Sequence, residues 1–366
     1  MKVAIVNCFD TFMDREASLR RFFMERGDDA TAIVSDFLHV EKKTRTSAPE
    51  GYTLVHAKPY QKNLSVKRMA SHACYAKTVA HTLEQGEWDL IWVIAPPNSL
   101  IAQCGKYRQR HPETKLVIDI NDLWPESFPI EKIKWLPPFA VWRGLRNRYL
   151  PYADAIVTEC GLFQTRLSLS DDRCTTIYLC KQEKQTECPV RALNSNEVSL
   201  CYLGSINHII DIQAISEIIQ SISQVSSVTL HVIGDGENRE QLLSSAETAG
   251  AKVVYHGVVY DEAEKLRIFS QCHFGLNVMR SSVCVGLTMK SMDYFAAGLP
   301  LINNIAGDTW DLIEQYDFGL NWKSNAQIDW KQFDVIETGK KARAFFEREL
   351  TYKQFARRVE SVLEKL

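Results

Sequence analysis

The sequence predicts an α/β chain of two doubly wound halves, each a mostly parallel sheet covered by helices on both faces. Three observations predict it. Short apolar runs alternate with helix-length stretches, one polar stretch without periodicity interrupts them, and the alternation then restarts. At 366 residues the chain exceeds the roughly 250–300 at which a single core stops growing, so two cores are expected. Residues 1–180 read as the first domain and 181–197, KQEKQTECPVRALNSNE, as a linker. Residues 198–338 read as the second domain, and 339–366 as closing helices that cross back to the first.

KVAIVN opens the chain as a buried strand, Arg15 to Arg26 follows as a helix stopped by Gly27, and ATAIVSDF and YTLVHAKPY are the next strands. Ser65 to Leu83 is a long helix, WDLIWVIA a strand, Ser99 to Arg110 a helix and KLVIDI a fifth strand; AIVTE and CTTIYLC complete the half. Ligands of such sheets bind beyond the carboxyl ends of the strands, which singles out Asn7–Asp10, Pro96–Ser99 and Asn121–Ser127 as rim segments. The second half runs VSLCYLGS, a helix from Asp211 to Val225, VTLHVIGDG, a helix to Ala249, VVYHGVV, a helix from Glu262 to Ser270, and FGLNVM. Ser282 to Asn304 then supplies a glycine-bearing loop, a helix from Leu287 to Ala297, a stop at Gly298 and the buried strand LPLIN. Two domains of this kind place the default active site in the cleft between them.

A net charge of −2 and a pI near 6.5 argue against a general nucleic-acid binder. Ten cysteines without a CxxC pair read as reduced thiols of a cytosolic protein, neither zinc ligands nor a disulfide framework, and no metal is expected. MKVAIVNCFD is too short an apolar run for a signal peptide, and no run approaches 18 apolar residues. The expected location is the cytoplasm, with a peripheral position on the inner face of the cell membrane left open.

In DINDLWPESFP, Asp119, Asp122 and Glu126 crowd three carboxylates at the rim, where like charge and burial can raise a carboxyl toward the range of a general base or grip for sugar hydroxyls. The structural alternative is that Asp122 caps a turn and Glu126 is solvated. Residues 132–149 alternate Lys132, Lys134, Arg143, Arg146 and Arg148 with Trp135, Phe139, Trp142 and Tyr149. That mix suits a membrane surface or a lipid-phosphate acceptor, or else a helix packed on the sheet with an Arg-rich outer face. Lys290 and Asp293, three apart near a helix start, make either a phosphate site or an exposed ion pair. GSIN at 204–207 and GDGE at 234–237 follow strands, so backbone N–H groups around Gly204, Gly234 and Gly236 are candidates for phosphate or ribose oxygens. Asp261 with Glu264 reads as a capping box.

The order YLGS, HVIGDGE, YHGVV, FGLNVM and MKSMDYFAAGLPLI resembles the nucleotide-sugar-binding half of GT-B glycosyltransferases, specifically the retaining family 4 group and relatives that build bacterial surface polysaccharides. DLWPES is similar to a segment of a subset of them. The resemblance implies two Rossmann-like domains facing across a cleft, with a nucleotide-sugar donor on the second and a glycan or lipid-linked acceptor on the first. It implies Asp293 on the donor ribose, Lys290 on the diphosphate, Ser291 in the same segment, Gly204 and Ser205 near the phosphates, and His256 and Val258 near the base. Asp122 and Glu126 fall on the acceptor side, and cations and helix dipoles take the place of a metal. Val285 stands where the family carries its first motif glutamate, and Asp293 replaces the second. GSINHIIDIQ lacks the usual Arg and Lys, leaving His208, while Arg280 after the NVM strand is placed to supply the missing charge. NCFDTFMD lacks the common glycine pair. A non-catalytic GT-B subunit that stabilises a partner transferase and a nucleotide-sugar epimerase therefore stand as alternatives, with homo-oligomerisation open.

Overall fold

A computed structural model of the chain describes residues 1–63, 65–127, 136–169, 172–181, 196–324 and 333–366. They form two compact units, Met1–Cys180 with Tyr352–Leu366, and Lys181–Thr351.

The first unit contains β1 (Lys2–Asn7), β2 (Asp29–Ser35), a small hairpin of β3 (Phe37–Leu38) and β4 (Lys43–Thr44), then β5 (Tyr52–Val55), β6 (Leu90–Ala95), β7 (Lys115–Ile120), β8 (Ala155–Thr158) and β9 (Cys174–Thr176). All but the hairpin build a seven-stranded sheet in the order β5, β2, β1, β6, β7, β8, β9, with every pairing parallel. Its helices are α1 (Met13–Glu25), α2 (Val66–Glu84), α3 (Asn98–Arg110), α4 (Pro137–Asn147) and α5 (Gly161–Leu167). Helical cover on both faces explains why β6, LIWVIA, is buried at every position. Asp119 is not a rim carboxylate. It lies inside β7, fully buried, and accepts from Arg15 Nε at 2.7 Å, Arg15 Nη2 at 2.9 Å and Trp92 Nε1 at 2.9 Å. That buried pair fastens α1 to the sheet.

The second unit runs β10 (Glu197–Leu203), α6 (Ile212–Ser223), β11 (Ser227–Ile233), α7 (Arg239–Thr248), β12 (Ala251–Gly257), α8 (Glu262–Phe269), β13 (Phe274–Asn277), α9 (Met289–Ala297), β14 (Leu301–Asn303), α10 (Asp308–Tyr316), β15 (Gly319–Asn321) and α11 (Val335–Glu349). Its six parallel strands lie in the order β12, β11, β10, β13, β14, β15. The order reverses between β10 and β13, the point at which doubly wound sheets open a crevice for ligands. The first sheet reverses in the same way between β1 and β6. Ile215, Ile218, Ile219 and Ile222 form the buried stripe of α6. Asn277, Asn303 and Asn321 stand in register at the ends of β13, β14 and β15. Asn277 Nδ2 donates to Asn303 Oδ1 at 2.9 Å, Asn303 Nδ2 to Asn321 Oδ1 at 3.0 Å, and Asn321 Nδ2 to the Trp310 carbonyl at 3.0 Å.

The closing helices divide between the units. α11 belongs to the second, where Phe345 packs on Phe295 and Phe318 with ring centroids 5.4 and 4.8 Å apart. α12 (Tyr352–Leu363) belongs to the first, and Tyr352 donates to Glu25 on α1 at 2.7 Å. The expectation that both helices cross back is thus corrected for α11, whose apolar face is taken up by α9. Residues 182–195 of the linker reading lie outside the described residues, as do Lys132, Lys134 and Trp135. Within the described part of 132–149, Trp142, Arg146 and Tyr149 are buried, so those aromatics do not form an exposed interfacial belt; Pro137, Pro138, Ala140, Val141, Gly144 and Arg148 face outward. Among the described residues no helix is long and apolar enough to cross a membrane.

Candidate functional site

At the carboxyl end of β10, Tyr202 donates its hydroxyl to the Ser205 carbonyl at 2.9 Å and offers its ring to α9. Lys290, the second residue of α9, places its ammonium 4.8 Å from the centre of that ring. The lysine is 8% exposed and makes no ion pair among the described residues. Burial pushes its ammonium down to about 8. An uncompensated buried cation at a helix start is costly until an anion meets it.

The start of α9 is fixed by a reciprocal cap. Thr288 Oγ1 accepts the Ser291 N–H at 3.2 Å and donates to Asn277 Oδ1 at 2.7 Å, while Ser291 Oγ accepts the Thr288 N–H at 3.3 Å. Ser291 is fully buried and its hydroxyl is spent on this cap, which corrects its assignment as a donor contact. In the loop after β13, Arg280 donates its backbone N–H to Ile209 at 2.9 Å and its Nε to Ile210 at 3.3 Å, both just beyond β10. Among the described residues no carboxylate pairs with Arg280. Two cations and a helix N-terminus thus gather at the β10/β13 crevice.

Asp293 turns elsewhere. It pairs with Lys181 and lies 3.9 Å from Lys265 on α8, so the Lys290–Asp293 ion pair is not formed.

The glycine turns serve each other. Gly204 N–H donates to Ile233 at 2.9 Å, Ile206 to Asp235 at 2.9 Å, Gly234 to Gly257 at 2.7 Å, and Gly236 to the Asp235 side chain at 2.8 Å. A Cβ on Gly234 would overlap the Gly204 carbonyl oxygen, and one on Gly236 that of Ile206. The glycines therefore permit close approach of two turns, correcting the expectation that their amides are open to phosphate. The Ser205 N–H has no intramolecular partner among the described residues. His208 is exposed and faces Glu237 at 3.5 Å. His256 stacks on His231 with centroids 5.3 Å apart and ring nitrogens at 3.0 Å. Burial lowers both imidazoles, His231 to about 4 with help from His256. Val258 is exposed in the loop after β12.

In the first unit, Asp122 accepts the Trp124 indole N–H at 2.6 Å, and burial raises its carboxyl above the usual range. Glu126 receives a two-pronged bond from Arg146 at 2.7 and 2.8 Å and stands 3.3 Å from Arg143. Burial pushes Glu126 up, but the Arg146 guanidinium outweighs it and holds the carboxyl below its ordinary value. A carboxylate committed to a buried arginine is no general base, so that assignment of Glu126 is corrected. The sequence reading passed over Arg68 and His72, one turn apart on the buried face of α2. The available signal was their i, i+4 spacing, a cation and an imidazole on a face that should be apolar. Among the described residues no group of three His, Cys, Asp or Glu side chains is placed to hold a metal ion.

Residues 197–323 match the family model described as glycosyl transferases group 1. That stretch is a glycosyltransferase domain. The glycosyltransferase domain contains the whole β10/β13 crevice, from Ser205 through Arg280 to Lys290. The fold of the full chain is similar to that of the lipopolysaccharide outer core galactosyltransferase WaaB in its apo form, at 16% identity over all of both chains and a TM-score of 0.70. It is equally similar to sucrose-phosphate synthase from Thermosynechococcus elongatus, at 11% identity over all of this chain and 98% of that one, TM-score 0.70. Anabaena HepE in complex with UDP and glucose matches at 14% identity over all of both chains, TM-score 0.64. The chain accordingly has the GT-B architecture of two parallel-sheet α/β domains. No protein of curated function matches it by sequence.

Proposed function

We propose that the chain transfers a hexosyl group from a nucleotide-sugar donor to a glycan or lipid-linked acceptor in bacterial surface-polysaccharide synthesis, with retention at the anomeric carbon. One observation carries the reading: the buried, unpaired Lys290 ammonium beside the N-terminus of α9, inside the glycosyltransferase domain. When the bond from sugar to nucleotide breaks, negative charge grows on the leaving diphosphate. Lys290, Arg280 and the positive end of α9 provide a fixed countercharge without a metal. Asp122, half-buried and raised above the usual carboxylate range, is suited to take a proton from an acceptor hydroxyl. WaaB supports a surface glycan as product, and the outward Pro137, Pro138 and Val141 of α4 beside Arg148 support an acceptor presented at a membrane surface.

Calorimetric titration with UDP, GDP and ADP in the presence of a chelator tests this, and the HepE complexes make UDP the first choice. Micromolar binding of one nucleotide, weakened by about 1–3 kcal/mol in Lys290→Ala, is the expected result. Absence of binding by all three overturns the donor site. A second reading, a non-catalytic subunit of a partner transferase, is favoured by the engagement of Asp293 with Lys181 and by the lack of a cation after Gly204. Turnover of a nucleotide-sugar by the isolated protein excludes it.

A further inference from the structure

At the carboxyl ends of β1 and β7, next to the point where the first sheet reverses, four separated segments build a cluster of aromatic rings around a cation. Arg68 is 6% exposed, and its guanidinium lies 4.4 Å from the Trp124 ring centre, 5.5 Å from that of Phe9 and 5.8 Å from that of Tyr60. Nη1 donates to the Asn63 carbonyl at 2.8 Å, whereas Nε is buried with no hydrogen-bond partner. Among the described residues no carboxylate comes within ion-pair distance of Arg68. The acids that act on this cluster are engaged elsewhere: Asp10 accepts the His39 and Val40 N–H groups at 2.9 and 3.0 Å, and Asp122 accepts the Trp124 indole.

His72 adds an independent observation. Its ring is 2% exposed, stacks on Trp124 with centroids 5.7 Å apart, and has no partner at either nitrogen. Buried imidazole and guanidinium nitrogens are ordinarily satisfied, so two adjacent exceptions at a strand-end crevice indicate a polar ligand. The half-buried side of the cluster is lined by His39, which meets the Tyr60 hydroxyl at 2.5 Å, and by Lys42, which donates to Asn63 Oδ1 at 2.7 Å and lies 4.9 Å from the Tyr60 ring centre. Burial and the neighbouring Arg68 hold His39 at about 4 and His72 well below its usual value, so both rings are neutral near pH 7. The charge of the cluster is then that of Arg68 and Lys42, opposed by Asp10 and Asp122, neither of which forms an ion pair with Arg68.

We propose that this cluster receives an anionic substituent, a carboxylate or a phosphate, carried by a sugar of the acceptor glycan. Arg68 offers a planar fork that matches either oxyanion, and Lys42 adds a point charge at the open side. The assignment to the acceptor rests on the transfer reading above; the preference for an acidic sugar does not.

The test is titration of the full chain with methyl β-glucuronide, glucose 6-phosphate and neutral methyl β-glucoside, in wild type, Arg68→Met and Lys42→Met, each also titrated with UDP. The expected result is at least tenfold tighter binding of one acidic sugar than of the neutral one, with the preference lost in both variants. A winning glucuronide identifies a carboxylate, and a winning sugar phosphate identifies a phosphate. Should Arg68→Met fail to fold, Lys42→Met, altered at the open side, still decides. Equal binding of acidic and neutral sugars, or a preference that survives the substitutions, overturns the proposal. If that happens while UDP still binds, the donor reading stands. If wild type prefers the acidic sugar and no UDP binds, the donor reading fails alone.

Discussion

Lys290 Nζ stands 4.8 Å from the centre of the Tyr202 ring, a cation facing an aromatic face with no carboxylate beside it among the described residues. Its ammonium loses protons more easily in the folded chain, at about 8, than at its ordinary 10.5. Below pH 8 both folded and unfolded chains hold the proton, and the folded state bears the full penalty. Between pH 8 and 10.5 the unfolded chain binds more protons, so stability rises with pH across that window. Lys290→Met is therefore expected to raise stability at pH 7 by up to about 3 kcal/mol while weakening nucleotide binding by about 1–3 kcal/mol. Wild-type UDP affinity should fall above pH 8, and the profile in the variant should be flat. Thermal melts and calorimetry at pH 7, 8 and 9 check both.

Glu126 and Asp122 sit four residues apart but should fail differently. Glu126→Gln leaves the buried Arg146 without its carboxylate, and we expect a loss of about 1–3 kcal/mol in stability with turnover by the folded fraction unchanged. The pair's contribution is present above pH 4.5 and lost as pH falls through the lowered carboxyl value, so the difference between wild type and variant should vanish in acid. Asp122→Asn should do the reverse, cutting turnover with little change in melting temperature. Parallel melts and initial rates separate the two.

Thr288 links the start of α9 to the end of β13. Thr288→Ala removes the cap on Ser291 and the bond to Asn277, an expected cost of about 1–2 kcal/mol. Thr288→Ser should recover most of it, because only the hydroxyl is used. Denaturant unfolding of the three proteins tests this.

Gly236→Ala drives a methyl into the Ile206 carbonyl, where backbone on both sides prevents relief. A loss of more than about 2 kcal/mol is expected, with UDP affinity in the surviving folded fraction reduced less than in Lys290→Ala. If Gly236→Ala is as stable as wild type, the two turns are not interlocked in solution.

Parallel strands buried on both faces read as apolar runs, which is why KVAIVN, WDLIWVIA and VTLHVIGDG were legible as strands. β15 and α10 were not, since a three-residue strand and a nine-residue helix show too little periodicity to separate from loop. The place of Lys290 near a helix start was legible. The fates of Asp119 and Glu126 were not, because their arginines lie 104 and 20 residues away and only packing brings them together. Asp119 did leave a trace: a carboxylate inside KLVIDI cannot stay unpaired. The cluster around Arg68 draws on positions 9, 39, 60, 72 and 124, a set with no common spacing.

Asn277, Asn303 and Asn321 join strands only four, three and three residues long. Segments so short carry almost no hydrophobic alternation with which to choose an alignment. A slide of one residue would turn every amide of the chain to the wrong face and break the links together, so misalignment is penalised as a single event. The short strands are held in place as words are by rhyme, each ending answering the next, and the Thr288 hydroxyl hangs on the first of those endings. Alignment of β13 to β15 and the position of the α9 tip that carries Lys290 are consequently one decision, made once when the sheet closes.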